Sequence, residues 1–191
     1  MTTLTEQEII HKLSKVEEKI EILDEHRTKA AVLIPLFLRN SSWNVLFTRR
    51  SQTVQDHKGQ VSFPGGAFEW LDKDLEATAL RETEEEIGIS PDQIKILGRM
   101  NPFPSISNYL ITPVVGLIEY PYKIKISVEE VDKVFSIPLN WLADKRNYEE
   151  RDYLRSNNSI EKVLFYKEYE GELVWGITAR ILTRLLNVLF D

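Results

Sequence analysis

Apolar and polar positions along this chain change period several times, and each change predicts an element. Between Thr5 and about His26, Ile9, Leu13, Val16, Ile20 and Leu23 recur four and three residues apart behind Thr5-x-x-Glu8. That spacing predicts a helix with one narrow apolar face and a capping box at its start. The stripe fits packing on the domain; its two-in-seven repeat also suits the seam of a homodimer. The run AAVLIPLFL from Ala30 to Leu38 predicts a buried strand, with Pro35 marking a bulge or an unpaired edge. Asn40-Ser41-Ser42 predicts a turn, and Trp43 to Arg49 alternates as the hairpin partner, delivering Arg49, Arg50 and Ser51 to a loop. Further strands are expected over Ile94–Met100, Leu110–Ile118, Tyr122–Ile126 and Val163–Tyr169. Between Trp141 and Ser159 the chain is charged and poor in aliphatics, an exposed excursion whose Tyr148 and Tyr153 would suit a lid. From Ile177 to Leu189 a helix puts Ile181, Leu185, Val188 and Leu189 on one face and leaves Arg180 and Arg184 off it, which reads as core packing. Strands and helices interleaved without a dinucleotide fingerprint predict an α/β layer fold.

One stretch breaks the ordinary pattern. In FPGGAFEWLDKDLEATALRETEEEIGI, residues 63–89, Glu82, Glu84, Glu85 and Glu86 crowd into little more than one helical turn. Glu82, Glu85 and Glu86 share one sector of that helix, and Leu80, Thr83 and Ile87 share the opposite one. Like charges three and four residues apart cost roughly 0.2–0.5 kcal/mol per pair, and acids in a last turn oppose the helix dipole. A divalent cation would reverse that sign, because hard cations sit between carboxylates and a substrate's phosphates. A solvated acidic face is the plainer reading of the run alone. Gly65 and Gly66 upstream permit a close backbone approach to a ligand, Gly88 suits a left-handed helix stop, and Arg81 is placed to orient the carboxylates.

These residues carry a resemblance: Gly66, then Arg81-Glu82-x-x-Glu85-Glu86-x-Gly88-Ile89, is similar to the Nudix box. The chain has one extra residue between the glycine and the Arg-Glu pair, which puts Asp72 where the commonest form has glutamate. That longer loop, with Glu69, Asp72 and Thr78-Ala79-Leu80, resembles the branch of the family that hydrolyses coenzyme A. So does the block upstream, Leu46-Phe47-Thr48-Arg49-Arg50-Ser51 followed by His57-x-Gly59-Gln60-Val61-Ser62-Phe63-Pro64-Gly65-Gly66. Where the signature of that branch usually has Leu-Arg, this chain has Val54-Gln55.

The resemblance implies a Nudix α/β/α sandwich with a mixed sheet between helices, and a pyrophosphohydrolase that needs Mg²⁺ or Mn²⁺. It implies Arg81, Glu82, Glu85 and Glu86 as catalytic residues, Glu82 and Glu86 as metal ligands, and Arg49, Arg50, Ser51, His57, Gly65 and Gly66 as the substrate-binding set. Glu130 is a further candidate, as a metal ligand or as the general base. The implied reaction splits coenzyme A or acyl-coenzyme A into 3′,5′-ADP and (acyl-)4′-phosphopantetheine. Another nucleoside diphosphate derivative such as ADP-ribose is the alternative. A Nudix-like binding module without catalysis is the third reading, and the presence of Arg81, Glu82, Glu85 and Glu86 argues against it.

Composition narrows the remainder. A length of 191 residues with 42% hydrophobic content suits a single domain spanning 1–191. No apolar run approaches the ~20 residues of a membrane span and no secretory order opens the chain, so the expectation is a cytoplasmic protein without membrane contact. The absence of cysteine removes disulfides, thiolate metal sites and a cysteine nucleophile. A net charge of −6 argues against a nucleic-acid surface and leaves a small-molecule substrate as the partner.

Overall fold

The computed structural model describes residues 4–16, 26–54, 56–154 and 159–190. Helix α1 (Glu6–Ser14) begins on the expected capping box: the Glu8 amide donates to Thr5 Oγ1 at 3.2 Å, and the Thr5 amide donates to Glu8 Oε2 at 2.7 Å. Ile9 and Leu13 are both buried in the core, so this part of the stripe is used inside the chain. Ile20 and Leu23 lie outside the described residues.

The sheet is built on β1 (Thr28–Arg39). It pairs in parallel with β7 (Tyr109–Ile118) along one edge. On its other edge the first half pairs with β4 (Gly65–Ala67) and the last four residues with β2 (Ser42–Arg50). Asn40 and Ser41 form the two-residue hairpin turn with φ of 50° and 59°, the geometry that matches strand twist. Pro35 is thereby explained. The Leu33 amide donates to Pro64 O at 2.9 Å, so by strand parity the missing N–H of Pro35 faces the same edge, in the gap between the β4 and β2 pairings. The proline sits in a central strand at a locally unpaired point.

Beyond that gap the sheet forks. The end of β2 pairs with β3 (Val61–Ser62) on one side, and β8 (Val131–Pro138) runs along the other side of β2 from Asn44 to Arg50. On the far side, β7 pairs with β5 (Ile94–Arg99) and β6 (Phe103–Pro104). Side chains of β1 alternate between two buried faces. Ala31, Leu33 and Phe37 pack with Ala79 and Ile87 of α2 (Leu75–Ile87). Ile34 and Leu36 join the core under α1, α3 (Leu139–Ala143) and α4 (Gly176–Phe190). A mixed sheet between helices is the expected α/β/α sandwich.

Two expectations on local structure are corrected. Tyr122–Ile126 is not a strand; the Lys125 amide donates to Ile87 O and the Ser127 amide to Glu86 O, both at 2.9 Å, so the segment satisfies carbonyls left open at the end of α2. The charged stretch after Trp141 is largely structured: α3 is followed by a 3-10 turn and β9 (Tyr148–Leu154), which pairs with β10 (Ile160–Tyr166) as a separate two-stranded ribbon. Its hydrophobic signal is weak because every residue from Glu149 to Leu154 is exposed.

Candidate active site

Helix α2 carries the acidic cluster, and local chemistry fixes its ends. Asp74 caps the start by accepting from the Ala77 amide at 2.8 Å, and Gly88 closes the helix in the left-handed conformation at φ 72°. Thr83 and Ile87 are buried as expected, yet the acidic sector is no solvated face. Glu86 is only 4% exposed, and its Oε2 has no hydrogen-bond partner among the described residues. Burial pushes this carboxyl up to about 8; Glu82 and Glu130 push in the same direction, while Arg50 and the Gly65 amide oppose them. Glu82 is raised too, chiefly by burial, and its ion pair with Arg81 works against the shift.

Arg81 organises the cluster from behind. Its Nε and Nη2 donate to the two carboxylate oxygens of Asp72 at 3.0 and 3.1 Å, and Nη2 also donates to Ala67 O at 3.1 Å. Nη1 reaches forward to Glu82 Oε1 at 2.8 Å and Glu85 Oε2 at 3.0 Å. The Arg81 guanidinium holds Asp72 down at about 2, aided by the Glu69 amide and the Thr78 hydroxyl, and Arg81 itself is raised. Asp72 thus fixes an arginine that fixes two glutamates.

The cluster opens onto a cavity of about 780 Å³. Glu82, Glu86, Glu130, Arg50, His57, Gly65 and Gly66 all line it, and Arg49, Ser51, Arg81 and Glu85 do not. The pleat separates the two arginines: neighbouring residues point to opposite faces of β2, and the pairing with β8 shifts register between them. Arg49 is committed to Asp132, at 2.6 Å from Nη2, and to the buried Glu172, at 2.9 Å from Nη1. Ser51 is buried and bonds Thr53 Oγ1 at 2.7 Å; its amide donates to Glu130 O at 2.8 Å, tying down the loop that carries Glu130. His57 sits at φ 57° with Nδ1 3.1 Å from Gln60 Oε1. Gln55 lies outside the described residues.

A NUDIX domain profile matches residues 27–157. The chain belongs to the Nudix hydrolase family. It is 39% identical over 163 residues to the Nudix hydrolase NudL of Photorhabdus laumondii, covering 85% of this chain and 86% of that protein. The Citrobacter koseri NudL is 35% identical over 184 residues, 96% of this chain and 94% of that one. Both relatives are described as uncharacterized, so they carry the family and not a substrate. Among solved structures, DR0079 from Deinococcus radiodurans aligns with a TM-score of 0.52 at 14% identity, covering 87% of this chain and 88% of that one. The Nudix hydrolase RenU from M. smegmatis aligns at 0.51 with 18% identity, covering 62% and 74%. At these identities the likeness is one of fold.

Nudix hydrolases generally use divalent metal ions. The residues present fit such an ion: Glu86 offers a buried oxygen without a donor, Glu82 lies one turn away, and Glu130 raises both carboxyls. No three acidic or imidazole groups among the described residues converge closely enough to cage a metal alone. That suits a hard ion that takes its remaining oxygens from water and phosphate. No helix among the described residues is long and apolar enough to cross a membrane.

Of the two tyrosines expected to suit a lid, Tyr153 of β9 lines the cavity and Tyr148 does not. Lys162 and Val163 of β10, Trp175, and Arg180 and Ile181 of α4 line it too, and the sequence reading gave none of these a place at the site. Periodicity placed Arg180 correctly off the packed stripe of α4. The start of α4 is tied to β3, where Thr178 Oγ1 donates to Val61 O at 3.1 Å, a long-range contact that periodicity does not show.

Proposed function

We propose that this Nudix hydrolase cleaves the pyrophosphate of coenzyme A or its acyl derivatives, releasing 3′,5′-ADP and (acyl-)4′-phosphopantetheine. The observation that carries the reading is that one cavity joins the carboxylate cluster to a long apolar wall. Phe63, Ile111, Trp175, Ile177 and Ile181 share it with Glu82, Glu86 and Glu130. A diphosphate with a long uncharged arm matches both parts, and the volume is in the range of pockets that enclose a sizeable ligand. The resemblance of residues 46–66 to the coenzyme A signature supports the same choice.

Glu82 and Glu86 would hold Mg²⁺ or Mn²⁺. A divalent ion there supplies positive charge to the pyrophosphate oxygens and acidifies water, so that hydroxide is available near neutral pH without a protein nucleophile. Arg81 keeps Glu82 in one rotamer and stays clear of the substrate. Arg50 forks onto phosphate oxygens from the cavity wall, where Arg49 does not reach. Glu130 takes the proton from the attacking water: it is exposed on the cavity, whereas Glu85 is tied to Arg81 outside it. Cleavage of one P–O bond by water then gives two phosphomonoesters.

The test is a hydrolysis panel at fixed Mg²⁺ with coenzyme A, dephospho-coenzyme A and ADP-ribose. Coenzyme A is expected to give the highest kcat/KM. Cleavage of ADP-ribose with coenzyme A left intact would transfer the assignment to the alternative, and would make Gln55 the first residue to suspect.

A further inference from the structure

The carboxylate end accounts for only part of the cavity's charge. Its basic side chains are Arg50 at the end of β2, His57 in the loop that follows, Lys162 of β10 and Arg180 of α4, and Glu161 of β10 lines it too. A diphosphate held at Glu82 and Glu86 would engage Arg50, which faces Glu86, and leave Arg180 without a function. Lys162 pairs with Asp152 at 2.8 Å, on the face of the β9–β10 ribbon opposite Tyr153 and Glu161. Arg180 is exposed and forms no ion pair among the described residues. Its charge serves no contact among the described residues, and yet it stands in the wall of the site.

That wall is aromatic as well as cationic. Trp175 stacks on Phe165 with centroids 5.3 Å apart and planes 9° from parallel, and Tyr153 lies 5.8 Å from it at 38°. Phe165 fixes the indole, so a half-buried, oriented ring borders the cavity before a ligand arrives. Flat aromatic surfaces of this kind take nucleobases by stacking, and an arginine near one takes a phosphate through paired N–H donors.

We propose that Arg180 forms a second anion subsite that receives the phosphate on the ribose 3′ oxygen while the purine lies against Trp175 and Tyr153. The proposal rests on the coenzyme A reading and deepens it: the cavity recognises a nucleoside 3′,5′-bisphosphate group. Dephospho-coenzyme A and ADP-ribose lack that phosphate. Arg180 is then a specificity residue, distinct from the groups that act on the scissile bond.

The experiment measures kcat/KM for coenzyme A and dephospho-coenzyme A with the parent, Arg180→Ala, Arg180→Lys and Arg184→Ala. Arg184 is on the same helix but lies over the Phe103 ring at 4.9 Å, and it serves as the control. The expected result is that Arg180→Ala lowers the coenzyme A to dephospho-coenzyme A ratio about tenfold, the scale of one lost charge-assisted contact. Arg180→Lys should restore most of the ratio, and Arg184→Ala should leave it at the parental value. A parental ratio in Arg180→Ala, or an equal loss on both substrates, overturns the subsite while the coenzyme A reading stands. If coenzyme A is not cleaved at all, that reading fails, and calorimetric titration of 3′,5′-ADP and 5′-AMP into the protein with Mg²⁺ decides the subsite by itself. A preference of about tenfold or more for 3′,5′-ADP that Arg180→Ala abolishes supports it; equal affinities in the parent overturn it.

Discussion

The Glu82 carboxylate lies directly on the backbone of Gly66, so that a Cβ at position 66 would come within 2.6 Å of Glu82 Oε2. The obstructed atoms are the far end of a flexible side chain, which can move without disturbing the sheet. Gly66→Ala should therefore shift the urea unfolding midpoint little while lowering turnover at least about tenfold, because small misplacements at a reacting centre are costly. Parental turnover in this variant would show that the seat of Glu82 on β4 does not matter.

Glu86 is raised to about 8 from an ordinary 4.5. The unfolded chain gives up this proton at lower pH than the folded one, so ionisation opposes folding as pH rises. In metal-free protein this share of the stability is present below about 4.5 and lost by about 8. Glu86→Gln should flatten the decline of melting temperature between pH 5 and 8 and leave the variant no less stable than the parent at the upper end. Mg²⁺ should raise the melting temperature of the parent most at that same end, and turnover of the variant should fall at least about a hundredfold. Equal pH slopes in parent and variant would contradict the burial argument.

Asp72 behaves in the opposite way. Held at about 2 against an ordinary 3.8, it contributes stability above the higher value that is lost as pH falls through the lower. Asp72→Asn should cost about 1–3 kcal/mol at neutral pH by weakening the anchor of Arg81, and should remove part of the parental loss between pH 4 and 2. Chemical denaturation at pH 7 and pH 3 measures both effects. Turnover should fall as well, through Glu82 and Glu85, with KM changing less than kcat.

The adjacent arginines separate recognition from folding. Arg50→Ala should raise KM more than it lowers kcat, whereas Arg49→Ala should mainly destabilise, since it leaves the buried Glu172 with Lys133 as its remaining cation. Steady-state kinetics and thermal melts on the two variants distinguish these outcomes. A KM effect confined to Arg49→Ala would reverse the assignment.

Much of this architecture was legible because it is written in local pattern: the Thr5–Glu8 capping box, the buried β1 run, the left-handed stop at Gly88, and the carboxylates one turn apart on α2. What stayed hidden depends on partners distant in sequence. Arg49 and Arg50 look equivalent until the register shift against β8 sends only one into the cavity. Tyr122–Ile126 alternates like a strand, but the open carbonyls of α2 claim its amides first. Exposure on both faces left β9 without a hydrophobic signal, and only its pairing with β10 brings Tyr153 to the site. The burial of Glu86 could not be read from a run of glutamates that resembles a solvated face.

The most direct measurement of the central claim is cleavage of coenzyme A in ¹⁸O-labelled water with Mg²⁺, both products being analysed by mass spectrometry. Attack by water predicts 3′,5′-ADP and 4′-phosphopantetheine in equal amounts, with one solvent oxygen in one of the two per turnover. Unlabelled products, or coenzyme A intact after prolonged incubation with either Mg²⁺ or Mn²⁺, would contradict it.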